Sequence, residues 1–117
     1  MKVTDAYRTY VLEQLAPLVP IRAKNMFGGV GLYADDVFFA IIAGDTLYFK
    51  VDDTNRTDYE SAGMAPFAPY GDSSRTMQYY MVPAEVLEDR ELLHPWLDKA
   101  LTVATNAQER KRKRRTS

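Results

Sequence analysis

Between Met26 and Asp53 the apolar positions fall into three strand-length runs separated by short polar breaks. Phe27, Val30, Leu32 and Tyr33 make the first run, Val37, Phe38, Phe39, Ile41 and Ile42 the second, and Leu47, Tyr48, Phe49 and Val51 the third. Aromatic and β-branched types dominate, and these suit a pleated, half-buried surface. The breaks, Asp35-Asp36 and Gly44-Asp45, hold residues that tolerate positive φ, which a hairpin matching the strand twist requires. The third run sets Leu47, Phe49 and Val51 against Tyr48, Lys50 and Asp52, which predicts an antiparallel sheet covered on one face. The second run is apolar on both sides and is expected at the centre of the sheet.

Helical spacing appears on either side of this meander. Thr4 or Asp5 is placed to cap a helix carrying Tyr7, Val11, Leu15 and Leu18 on one face, and Pro17 and Pro20 end it. Asp52 and Asp53 stand where a cap belongs and Gly63 where a helix stops, predicting a short helix over Thr54 to Ala62. Phe67 to Tyr70 and Thr76 to Val82 read as a further strand pair around Gly71 to Arg75, with Pro66 and Pro69 placing the first at an edge. Pro83 opens a helical turn, and Asp89 caps a last helix with Leu92, Leu93, Trp96, Leu97, Ala100, Leu101 and Val103 as its apolar face. The expected fold is α+β, an antiparallel sheet of about five strands in the order α-β-β-β-α-β-β-α-α.

The 117 residues suffice for one domain and one core, and we place that domain at residues 1–107. Apolar content of 46% and charged content of 26% are those of an ordinary globular chain. The absence of cysteine removes disulfides, thiolate catalysis and Cys-based metal sites. The charged N-terminus lacks the apolar core of a signal peptide or membrane span, so a cytoplasmic protein is expected.

Charge is unevenly distributed. Of 15 Lys and Arg, six (Arg110, Lys111, Arg112, Lys113, Arg114, Arg115) fall in the last eight residues, leaving 9 against 15 acidic residues in 1–108. An acidic body argues against a broad nucleic-acid face, because phosphate neutralisation needs clustered cations. Residues 108–117 lack apolar groups and read as a disordered basic tail, a candidate electrostatic arm for nucleic acid.

The remaining candidates are weaker. Gly29-x-Gly31-x-x-Ala34 fits the dinucleotide fingerprint in letters, but a strand follows where the mechanism needs a helix N-terminus. Gly28, Gly29 and Gly31 are therefore read as structural, allowing a bulge, strong twist or close backbone approach. An RNA-recognition sheet fails because Gly29 and Leu32 occupy its aromatic positions. His94, the lone imidazole, has no local serine partner and reads as a surface or capping residue. Asp52, Asp53, Asp58 and Glu60 miss the glycine and the bidentate glutamate of a calcium loop. Arg22, Lys24 and Arg75 form a candidate anion contact at one sheet edge. Tyr79 and Tyr80 point to opposite faces of one strand and mark a candidate interaction surface, tyrosine being favoured at interfaces. No catalytic residue, cofactor site or metal site is predicted.

Met26-Phe27-Gly28-Gly29 with Gly31-Leu32-Tyr33, then Leu47 to Asp53, then Tyr79-Tyr80-Met81-Val82-Pro83 with Glu85 to Asp89, and Leu92-Leu93 before Trp96, closely resemble the TfoX N-terminal domain over about Tyr7 to Ala104. The resemblance implies a bacterial, two-layer α/β domain similar to secretion chaperones and a connection with regulators of competence genes. The longer regulators carry a C-terminal domain where this chain has a basic tail, so a standalone N-terminal domain is expected. Its expected role is that of a non-enzymatic regulatory or adaptor domain acting by protein contact or self-association as a homodimer. The alternative is nucleic-acid association through the tail, and an unrecognised enzyme is third.

Overall fold

The computed structural model describes residues 3–26, 28–67 and 78–116 of the chain, with side chains described as far as residue 113. The elements are α1 (Asp5–Leu15), β1 (Arg22–Met26), β2 (Gly29–Ala34), β3 (Val37–Ala43), β4 (Thr46–Lys50), α2 (Arg56–Ser61), β5 (Tyr79–Met81), α3 (Ala84–Leu87) and α4 (Arg90–Thr116). The strands form one antiparallel sheet in the order β1-β2-β3-β4-β5, so each pairs only with its neighbours in sequence.

The expected α+β fold with five strands and four helices is the one observed. The three-strand meander is β2, β3 and β4, and β3 is central. Both turns have the expected conformation: φ is 50° at Asp35, 62° at Asp36 and 59° at Gly44. β1 precedes the meander and has no apolar alternation of its own, since Arg22, Lys24 and Asn25 are exposed. Of the two strands expected after α2, Tyr79–Met81 is β5, while residues 68–77 lie outside the described ones. Pro66 forms an isolated bridge to Tyr80, and the Phe67 N–H donates to the Tyr79 carbonyl at 2.8 Å.

Caps follow the sequence at two of the three helix starts where a capping side chain is expected. Thr4 Oγ1 accepts from the Tyr7 N–H, and Asp89 Oδ1 accepts from the N–H groups of Glu91 and Leu92. At α2 the structure corrects the expected start. Asp52 folds into a turn of its own, its Oδ1 accepting from the N–H and hydroxyl of Thr54, and Asn55 takes the cap position. Asn55 is the buried polar residue among those described. It accepts from the Asp52 N–H at 2.9 Å and donates to the Lys50 carbonyl at 3.2 Å, satisfying two backbone groups where β4 hands over to α2.

The sheet has two unlike faces. One is covered by the helices, where Val11, Leu15, Tyr59, Val86, Leu87, Leu93, Leu97 and Ala100 meet Leu32, Phe39, Ala40, Ile42, Leu47 and Phe49. The other carries a smaller cluster of Phe38, Ile41, Ala43, Tyr48, Phe67 and Tyr79, to which no described helix contributes. The register shifts between Leu32 and Tyr33, because Leu32 faces Ala40 while Tyr33 faces Phe38. Phe39 is the extra residue of this β-bulge, which lets consecutive Phe39 and Ala40 both enter the helix-covered core.

Two expectations about α4 are corrected. Leu92, assigned to its apolar face, is 49% exposed, because Leu93, Leu97 and Ala100 define the buried stripe and Leu92 falls outside it. The expected tail continues the helix through Thr116. Gln, Glu, Lys and Arg are good helix formers, adding turns to an existing helix needs no new nucleus, and cations suit a helix C-terminus.

Gly29 meets the backbone most closely. A Cβ there would lie 2.6 Å from the Ile42 carbonyl oxygen, whereas at Gly31 the nearest atom is the mobile methyl of Met26. Gly29→Ala is expected to cost about 1–3 kcal/mol in urea unfolding, and Gly31→Ala less. The buried Tyr59 hydroxyl has no hydrogen-bond partner among the described residues. Tyr59→Phe should therefore leave stability unchanged or raise it by up to about 1 kcal/mol, read as a thermal midpoint.

Candidate functional site

The antiparallel register brings the end of β2, the start of β3, the end of β4 and the start of β5 to one end of the sheet. There the outer face carries a row with one residue from each strand: Arg22, Tyr33, Phe38, Lys50 and Tyr79. Arg22 lies directly across from Tyr33, Tyr33 from Phe38, and Lys50 from Tyr79. The Arg22 guanidinium sits 5.2 Å from the Tyr33 ring centre, Tyr33 and Phe38 stack at 5.1 Å, and Phe38 and Tyr79 meet at 5.7 Å. Lys50 Nζ lies 4.9 Å from the Tyr79 ring centre. Each contact is of the cation–π or ring–ring kind, worth about 0.5–1.5 kcal/mol.

α4 passes beneath the sheet and on past this end. Gln108 Nε2 donates to the Asp36 carbonyl in the β2–β3 turn at 3.1 Å, fixing the helix beside the row. Between them is a cleft of about 650 Å³ whose walls include Tyr33, Phe38, Tyr79, Lys50, Lys111 and Arg112. Its carboxylate is Asp36, which pairs with Arg22 at 3.3 Å.

Electrostatics single out Lys50. Burial, and then the charges of Lys111 and Arg110, push its ammonium below the usual lysine range, and Asp52 opposes them. For Asp52, burial acts to raise the pKa but is outweighed by the Thr54 hydrogen bonds, Arg110 and Arg56, so its carboxyl is held below the usual range. Burial, followed by Tyr33, raises the Tyr79 phenol.

Other predicted residues are more dispersed. Tyr79 is 4% exposed within the outer cluster, while Tyr80 turns to the helix side and packs on Tyr59 at 5.8 Å. They point to opposite faces as expected, but the half-exposed rings of the outer face are Tyr33, Phe38 and Tyr48. Arg22 and Lys24 are exposed on edge strand β1, and Arg75 lies outside the described residues. Arg110, Lys111, Arg112 and Lys113 are exposed on the last turns of α4, and the side chains of Arg114 and Arg115 lie outside the described ones. Gly28, with φ of 78°, and Gly29 serve the β1–β2 hairpin, so strands lie on both sides of the glycines. His94 Nε2 lies 3.4 Å from Asp98 Oδ2 on the solvent side of α4. Among the described residues no three His, Asp or Glu groups are placed to hold a metal ion, and no helix is long and apolar enough to cross a membrane.

The TfoX N-terminal domain family matches residues 13–104, covering the whole sheet, α2, α3, the end of α1 and the packed part of α4. The chain belongs to this family. No curated protein matches it. The TfoX N-terminal domain family is not a known enzyme family. In this TfoX-type domain the matched span ends at Ala104, so Lys111 and Arg112 lie beyond it, while Tyr33, Phe38, Lys50 and Tyr79 lie within.

Like charges crowded at the cleft have a measurable consequence. Lys50→Met removes a cation whose folded-state pKa is lowered, and so removes a term that opposes folding while Lys50 is protonated. Its thermal midpoint at neutral pH is expected to equal or exceed that of the parent in low salt, with the difference shrinking in high salt. For the parent the same term makes stability rise as pH climbs through the folded-state pKa of Lys50.

Proposed function

We propose that this TfoX-type domain is a non-enzymatic regulatory or adaptor domain, working by protein contact in the setting of competence-gene control. The observation that carries the reading is the second apolar cluster of Phe38, Ile41, Ala43, Tyr48, Phe67 and Tyr79, formed without any described helix. Phe38 and Tyr48 are its half-exposed rings, and such rings are what protein interfaces use, because tyrosine and phenylalanine bring large contact area at small conformational cost. Edge strand β1 adjoins the same face and offers backbone groups to an added strand, with Arg22 and Lys24 favouring an acidic partner segment. Among the described residues His94 meets Asp98 alone of the carboxylates, on the solvent side of α4.

A second reading, association with nucleic acid through the basic end of α4, is favoured by Lys111 and Arg110 lying close enough to Lys50 to depress its pKa.

A photo-crosslinking amino acid at position 48, on the outer face, is expected to give one discrete protein adduct in cells. The same group at position 98, on the solvent side of α4, should give none. No adduct at 48, together with monomeric sedimentation at high concentration, would sink the protein-contact reading.

A further inference from the structure

We propose that the cleft between the Arg22-to-Tyr79 row and the end of α4 binds single-stranded nucleic acid, a base resting against Tyr33 and Phe38 and backbone phosphates meeting Lys50, Lys111 and Arg112. This rests on the nucleic-acid reading of the basic helix end and adds to it, because a basic arm acting alone needs neither rings nor Lys50. Proteins that hold single strands combine a cationic groove with aromatic side chains on which bases stack, and both parts line this one cleft. Its volume of about 650 Å³ falls within the range of small-ligand sites and suits a base with its sugar and phosphate rather than a helical duplex.

Charge points the same way. Lys111 and Arg110 repel Lys50, and among the described carboxylates Asp36 is paired with Arg22 while Asp52 offsets that repulsion only in part, since the Lys50 ammonium still lies below the usual range. A phosphate entering between the cations relieves that repulsion. The body beyond the helix end has 9 cations against 15 acidic residues, so the long cationic track that a duplex needs is missing. A duplex also keeps the faces of its bases stacked inside and shows only their edges in the grooves, leaving Tyr33 and Phe38 no face to stack on.

The full-length chain is titrated against a labelled oligothymidylate of about eight nucleotides, within the usual span of such sites, against a duplex of equal length, and with thymidine monophosphate as competitor. Two salt concentrations are used, and circular dichroism checks each variant's fold. The expected result is tighter binding of the single strand than of the duplex. Tyr33→Leu, which keeps apolar bulk but removes the ring, should weaken binding by roughly fivefold or more. Lys50→Gln should weaken it and flatten the salt dependence. If single strand and duplex bind equally, both variants bind like the parent, and removal of residues 109–117 abolishes binding, the cleft proposal fails while the basic-arm reading stands. No binding by the parent at low salt overturns both. Displacement of the oligonucleotide by monophosphate at equal concentration makes the ligand a free nucleotide and overturns the single-strand proposal.

Discussion

Phe39 and Ala40 are consecutive residues of an extended strand, yet both side chains lie in the core beneath the helices. Regular pleating forbids this, since successive side chains point to opposite faces. The bulge between the Tyr33–Phe38 and Leu32–Ala40 pairs resolves it, and much of the molecule follows from that one extra residue. Before the bulge, Phe38 faces outward beside Tyr33; after it, Ile41 and Ala43 face outward and Ile42 inward. Without the shift, with Phe38 outward and Phe39 inward, alternation would turn Ala40 and Ile42 outward and Ile41 inward, and the core would lose Ile42. Phe39 is fully buried against Phe49 at 5.9 Å, and Phe38 anchors the ring contacts at the sheet's end.

The helix-covered core and the outer face divide the remaining work. α4 supplies Leu93, Leu97 and Ala100 to the core, and α1 supplies Val11 and Leu15. α1 is tied further by Gln14, which donates to the Leu87 carbonyl at 2.8 Å at the end of α3. The exposed Lys99–Asp58 pair at 2.8 Å joins α4 to α2, a contact of the solvated kind worth at most about 1 kcal/mol. The stronger link there is Tyr59, fully enclosed and set edge-on to Trp96 at 4.7 Å. The helical layer is thus held by apolar packing, and α4 is free to project beyond the sheet's end with a sequence that need not pack.

What could be read from the chain followed the strength of its local signals. Asp35-Asp36 and Gly44-Asp45 announce hairpins because few conformations suit them, and both were found as turns. β1 gave no such signal: Arg22, Lys24 and Asn25 are exposed on an edge strand, so pattern alone did not mark it. Leu92 fits the apolar stripe as well as Leu93 does, because helical spacing cannot locate the centre of such a stripe to within one residue. The end of α4 has no apolar residues and so reads as disordered in the sequence, whereas propensity and continuity carry those turns. The candidate site was the least legible. Tyr33, Phe38 and Lys50 are far apart in sequence and become neighbours only through register, and the bulge that aligns Phe38 has no Gly or Pro to betray it.

The row at the sheet's end draws a single residue from every strand and then borrows a wall from a helix that begins after the last of them. No contiguous peptide contains more than a fraction of it. Its parts run from Arg22 to Arg112, nearly the length of the chain, so the cleft is not portable. It cannot be grafted as a loop or mimicked by the basic helix alone, and a relative has it only by keeping five strand ends in register and extending α4 past them.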